Sequence, residues 1–295
     1  MTRRTTDVLL TATAPAIWGS TYIVTTELLP PSYPLTVALL RALPAGLLLL
    51  LIVRQLPKRA WWGRILVLGA LNFSILWAML FVAAYRLPGG VAATITSVQP
   101  LFVVFLASLF LGSPIRALSI AAAVVGIGGV ALLVLTPNAA LDALGIAAAL
   151  AAAVSMAVGT VLARRWQPPV SALVFTAWQL TAGGLLLLPF ALLMEPPLPA
   201  LTVQNWIGFA WLGLVGAALT YIVWFRGVAR LEPSAVAPLA FLSPVTAVIL
   251  GWALLGQSLS MLQVAGIGIV IASIWLSQHA QRGAQPPVLA KPATR

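Results

Sequence analysis

The chain has no cysteine, which excludes disulfides, thiolate nucleophiles, zinc–thiolate sites and iron–sulfur clusters. It has one histidine, His279, and five acids, Asp7, Glu27, Asp142, Glu195 and Glu232, all near the ends of apolar runs. No carboxylate pair, Ser/His/Asp set or metal-ligating cluster can be assembled from so short an inventory. A membrane enzyme is therefore disfavoured, and neither a metal nor another cofactor is expected. Charge is also scarce: 7% of residues carry one, against roughly a quarter in an ordinary soluble domain, so a water-solvated globule is excluded.

Apolar sequence fills the space that charge leaves. Hydrophobic residues make up 61% of the chain and mean hydropathy is +1.06. Runs of the length a bilayer-spanning helix needs recur throughout. Ten spans are expected, at about 8–28, 34–53, 65–84, 91–111, 117–135, 142–163, 171–194, 204–224, 235–253 and 260–277. Short linkers rich in Pro, Gly and charge separate them, among them Pro30-Pro31, Pro88-Gly89-Gly90, Pro137-Asn138 and Glu232-Pro233. Arg3 and Arg4 precede the first run without a small-residue cleavage site after it, so that run reads as an uncleaved first helix.

The formal charge of +11 would suggest a nucleic-acid partner in a soluble protein. Here the basic residues lie beside apolar spans, where they report topology, and no nucleic acid is expected. With the N-terminus in the cytoplasm, fourteen of the sixteen Lys and Arg residues fall on the cytoplasmic side. Arg86 falls outside and Arg41 lies within a span. A miscount by one helix would scatter the later arginines, so the bias supports both the number of spans and cytoplasmic placement of both termini in a multi-pass protein of the cell (inner) membrane.

The chain also repeats itself. Arg86–Ser113, RLPGGVAATITSVQPLFVVFLASLFLGS, aligns without a gap on Arg230–Gln257, RLEPSAVAPLAFLSPVTAVILGWALLGQ. Pro100 falls on Pro244, Trp77 on Tyr221, and Leu111-Gly112 on Leu255-Gly256. The expected architecture is an all-α polytopic membrane protein of ten transmembrane helices in two five-helix repeats, 1–136 and 137–278, with a disordered tail over 279–295. Five spans per repeat is an odd number, so the second copy enters the membrane inverted. Inverted repeats characterise many secondary transporters, whose substrate site lies near the midplane between them.

Several residues are candidates for that site. Pro100 and Pro244 interrupt spans 4 and 9 near their middles, as kink or gating points, beside the polar Thr96, Gln99 and Ser243. Trp18 and Thr21 in span 1, Asn72 and Trp77 in span 3, and Tyr221 in span 8 complete a candidate substrate-binding set. An aromatic-lined cavity with few polar groups suits small amphipathic organic solutes better than bare ions. Arg41 is the one cation inside a span: it can hold a substrate carboxylate, snorkel outward, or pair with Glu27, and its aligned position is Gln179. No Asp, Glu or His lies at the expected midplane, so transport is either facilitated diffusion down a gradient or coupled through an unusual group. Glu27, at the outer end of span 1, is the candidate for that group or else a solvated end charge. Small residues in spans 5 and 10, the pairs Ala122/Gly126 and Gly268/Ala272, allow close helix contact within a monomer or across a homodimer.

These stretches resemble a known family. AIWGSTYIV in span 1, Arg41 with the Ala/Gly/Leu run after it, the two proline-centred units, GTVLARRW and TYIVWFRGVARL are together similar to EamA-type members of the drug/metabolite transporter superfamily. The resemblance implies ten helices, an inverted five-helix repeat, cytoplasmic termini and export of small metabolites. AIWGSTYIVTTELLPP and LFVAAYRLPGGVAAT resemble a branch associated with pigment or metabolite efflux, whereas other branches export amino acids. One departure stands out: the repeated units of the family commonly end Leu-Gly-Glu, and this chain has Ser113 and Gln257 there. The expected function is export of amino acids or related small organic metabolites by alternating access, with pigment or drug-like aromatic compounds as the alternative cargo. A non-transporting sensor or assembly partner is the alternative of another class, disfavoured because no soluble domain supplies an output surface.

Overall fold

A computed structural model of the chain describes residues 3–87, 89–134 and 142–282. The Pro137-Asn138 linker, the boundary at 136/137 and tail residues 283–295 lie outside the described residues. Among the described residues, ten helices are long and apolar enough to cross a membrane: α1 (Arg3–Leu28), α2 (Pro34–Val53), α3 (Arg59–Ala83), α4 (Ala92–Leu111), α5 (Ala117–Val134), α6 (Ala143–Arg165), α7 (Ala172–Met194), α8 (Val203–Arg230), α9 (Pro233–Leu255) and α10 (Met261–Ala280). They match the expected spans except where polar ends continue the helix. The first helix starts at Arg3, the eighth runs on through Arg230, and the last continues through Arg282, four residues into the stretch expected to be disordered. Hydropathy falls at such ends, but the helical hydrogen bonds continue and carry the charges out of the hydrocarbon. Asp7 on α1 there binds Arg226 (2.7 Å) and Arg230 (3.4 Å) of α8.

The repeat is visible in the packing. Helices α2 and α7 pack on each other, as do α5 and α10; each of these pairs joins equivalent helices of the two repeats. The other main contacts also come in equivalent pairs, α3 on α6 matching α8 on α1, and α4 on α6 matching α9 on α1. The repeats are thus interleaved: the first helix of each packs against the third and fourth of the other. Gly46 of α2 and Gly184 of α7 stand at matching places in the central seam. A Cβ on Gly46 would sit 2.5 Å from the Thr181 backbone nitrogen, and one on Gly184 2.6 Å from the Leu43 Cβ. Only glycine permits so close an approach.

Backbone irregularities recur at equivalent positions as well. Just after Leu68-Gly69 and around Leu212-Gly213, α3 and α8 widen into π-helical turns, Ala70–Ser74 and Trp211–Leu219. Such turns free carbonyls that side chains then claim. The Gly216 carbonyl accepts from Arg41 Nη2 at 2.8 Å and from the Thr220 hydroxyl at 2.9 Å, while the Leu71 carbonyl accepts from the Ser155 hydroxyl at 2.8 Å. The Leu-Gly pairs that close the repeated units are helix ends, with Gly112 at φ 68° and Gly256 at φ 64°, both left-handed.

The two prolines behave differently from the expectation of a mid-helix kink. In α4 the helical ladder stops at Thr96 and restarts at Gln99, so Pro100 occupies the first turn of a new segment, where a missing N–H costs nothing. In α9 a 3₁₀ stretch, Ala237–Phe241, precedes the segment Leu242–Leu255 that holds Pro244. The small-residue expectation divides. Ala122 and Gly126 are buried against α10 and α9, whereas Gly268 and Ala272 face outward, and Gly266 and Val270 make the contact to α5 instead.

Candidate functional site

A cavity of about 690 Å³ opens among α1, α2, α3, α4, α6, α8 and α9. At mid-length of the helices it is lined by Trp18, Trp77, Gln99, Pro100, Tyr221, Ser243 and Pro244, and it rises along α1 through Thr21 and Thr25 to the loop 29–34. On the other side of the two prolines the bundle is closed. Val103 and Ala107 of α4 and Ala157 and Val161 of α6 pack there on Ala237 of α9. The breaks in α4 and α9 thus coincide with the bottom of the cavity, and the loop 29–34 marks its mouth.

An aromatic cluster forms one wall. Tyr221 lies 4.9 Å from Trp18 and 4.6 Å from Phe73, centroid to centroid, and meets Trp77 edge-on at 6.4 Å. Such tilted and edge-on arrangements suit the quadrupoles of the rings. Hydrogen bonds fix the cluster: the Trp18 indole N–H donates to the Thr220 Oγ1 at 2.9 Å, and Thr220 donates to the same Gly216 carbonyl that holds Arg41. The Arg41 guanidinium stacks over Trp77 with its carbon 4.8 Å from the ring centroid. Trp18, Thr220, Gly216, Arg41 and Trp77 are therefore one connected chain spanning α1, α8, α2 and α3.

Of the residues expected at the site, Trp18, Thr21, Trp77, Thr96, Gln99, Tyr221, Ser243, Pro100, Pro244 and Arg41 all line this cavity. Asn72 does not. Its amide donates to Gln179 Oε1 at 2.9 Å, in a buried pair between α3 and α7. That pair is the inverted counterpart of Arg41 with Gly216, because Gln179 aligns with Arg41 and Asn72 with Gly216. Glu27 is exposed outside the lining and accepts from the Thr26 hydroxyl at 3.3 Å, so it does not pair with Arg41. Residue-by-residue reading missed Tyr22, Met156 and Phe241, as well as the whole mouth, Leu29 to Pro34. Helical spacing could have found part of it, since Trp18, Thr21, Tyr22 and Thr25 share one face of α1.

The electrostatics of the cavity are lopsided. Arg41 is its one charged lining residue, and no carboxylate lines it among the described residues. The acids other than Glu27 are employed at bundle ends. Glu195 accepts the Leu35 and Thr36 N–H groups at 2.6 and 2.7 Å at the start of α2, and Asp142 accepts the Gly145 N–H at 2.7 Å at the start of α6. Asp7 pairs with Arg226, and Glu232 accepts from the Ser113 hydroxyl at 3.2 Å. Among the described residues no cluster of His, Cys, Asp and Glu could hold a metal ion.

Comparison with known proteins gives a consistent result. The EamA-like transporter family matches residues 5–135 and again residues 143–278. Protein PecM of Dickeya dadantii (strain 3937) is 43% identical over 90% of each chain. A chloroplastic WAT1-related protein of Arabidopsis thaliana is 30% identical over 88% of this chain and 66% of its own. The uncharacterized inner membrane transporter YedA of Escherichia coli (strain K12) is 28% identical over 88% and 86% of the two chains. A solved crystal structure, 20% identical, has the same fold at a TM-score of 0.82, over 95% of this chain and 99% of that one.

Proposed function

Because the chain belongs to the EamA-like transporter family, we propose that it is a transporter and not an enzyme, exporting small organic metabolites, aromatic ones in particular, across the cell inner membrane. The observation that carries the choice of cargo is the lining of the cavity: among the described residues, Trp18, Trp77 and Tyr221 beside a single cation, Arg41, with no carboxylate. Aromatic walls favour flat apolar cargo, and Arg41 favours a neutral or anionic polar group. The ammonium of a zwitterionic amino acid would enter without a counter-ion, which is costly away from water. This puts pigment-like or other aromatic metabolites ahead of amino acids.

Transport proceeds by alternating access. The arginine bias puts the N-terminus in the cytoplasm; the loop 29–34 is then outside, and the cavity faces out. Its cytoplasmic side is sealed by the second half of α4 against the start of α9. Inversion of the repeats supplies the other state, in which the first half of α4 closes on the second half of α9. The interleaved packing sets which helices move together. The bodies are α3, α4 and α6 against α8, α9 and α1, pivoting at the α2–α7 and α5–α10 seams, rather than one sequence half against the other.

The test is flux in proteoliposomes, comparing indole-3-acetate with alanine and leucine, with and without an imposed pH gradient. Flux of the aromatic solute without the gradient is expected, since no titratable carboxylate or histidine among the described residues lines the cavity. Flux confined to the amino acids contradicts the choice of cargo. Flux that requires the gradient moves attention to Glu27 at the rim.

A further inference from the structure

The polar groups around the cavity are not equally occupied. Trp18 donates to Thr220, the Thr96 hydroxyl donates to the carbonyls of Ala92 and Ala93, and the Ser97 hydroxyl donates to Ala93. Gln99 differs from all of these. It lines the cavity, is 3% exposed, and neither its Nε2 nor its Oε1 has a hydrogen-bond partner among the described residues. A buried carboxamide is normally satisfied, so one left unpaired at both atoms in the wall of a binding cavity points to a ligand.

The repeat sharpens the contrast. The position matching Gln99 is Ser243, which has no carboxamide. The other glutamine in the core, Gln179, is tied to Asn72, so its side chain is structural. The unclaimed carboxamide is therefore asymmetric, carried by the first repeat alone. It offers one donor and one acceptor side by side, and the pairing is the same whichever way the amide is turned. The complement of such an edge is a second amide edge.

We infer, resting on the aromatic-cavity reading above, that Gln99 is a specificity-determining residue selecting cargo with an adjacent N–H and C=O, a lactam or carboxamide on a planar ring. Cargo lacking either group leaves half of the buried Gln99 carboxamide unpaired, and is rejected on that account. The ring stacks among Trp18, Trp77 and Tyr221 while the amide edge pairs with Gln99. Selection then comes from the pairing and retention from the rings.

Equilibrium dialysis of the full-length protein in lipid nanodiscs tests this with two matched probes, 2-quinolone and N-methyl-2-quinolone, which differ by the single N–H. The wild type is expected to hold 2-quinolone at least tenfold more tightly, and Gln99→Met to bring the ratio to about one, with the N-methyl compound still bound and held no less tightly once no carboxamide is left unpaired against it. Retained N-methyl binding shows that the variant is folded. If Gln99→Met binds neither probe, Gln99→Asn decides, its shorter carboxamide lowering the ratio without abolishing N-methyl binding. Equal binding of both probes by the wild type, or a ratio that survives in the variants, overturns the inference and leaves the aromatic cavity standing. No binding of either probe by the wild type overturns that reading and the inference together.

Discussion

Asn72 and Trp77 lie five residues apart on α3 and do different work, which the sequence alone could not separate. Both are polar or aromatic residues in an apolar span, and both read as cavity lining. Only the packing of α7 against α3 shows that Asn72 is taken by Gln179, while Trp77 turns to Arg41 and the cavity. Their substitutions should therefore diverge. Asn72→Ala orphans the buried Gln179 carbonyl and should cost about 1–3 kcal/mol of stability. A lower thermal midpoint of the purified protein with an unaltered KM is the expected signature. Trp77→Ala removes a cavity wall and the partner of Arg41, and should raise KM or abolish flux in proteoliposomes beyond any loss of folded protein. If Trp77→Ala and Tyr221→Ala both transport normally, the cargo does not bind where these rings stand. Arg41 was legible as an exception, a cation inside a span, but not in its role. The carbonyl that holds it is released by a π-helical turn, and nothing in the local sequence announces such a turn.

At the scale of elements, the spans were legible because hydropathy reports hydrocarbon contact directly. Their ends were less so, since Asp7, Arg226 and Arg230 extend α1 and α8 past the apolar window and bind one another there. The prolines were legible as breaks, but the break precedes them, at Ser97–Val98 in α4 and across Ala237–Phe241 in α9. The α2–α7 seam yields a sharp expectation. Gly46→Leu would drive a side chain into the Thr181 backbone, and overpacking of that kind costs about 1–3 kcal/mol or more. Gly268→Leu, on a face where a Cβ meets nothing within 4 Å, should be tolerated. Thermal-shift midpoints of the two purified variants compare them directly; equal midpoints would mean that the α2–α7 seam is not closely packed.

Across the whole molecule, inversion was legible from the odd number of spans in each duplicated half, and the arginine bias supports the proposed orientation. What neither could give was the interleaving. Pairing of α1 with α8 and α9, and of α6 with α3 and α4, depends on contacts between residues far apart in the chain, which a gapless self-alignment does not contain. That interleaving places the cavity between two mixed bodies and makes one end of it the closed end. The chain has no native cysteine, so a single introduced thiol reports access without background. The most direct measurement is labelling of Thr25→Cys, on the cavity wall, with a membrane-impermeant maleimide applied to spheroplasts and to inside-out vesicles. Labelling from the outer face alone, slowed by transported cargo, is the expected result. Labelling from the cytoplasmic face alone, or no access from either, would contradict an outward-facing transport cavity.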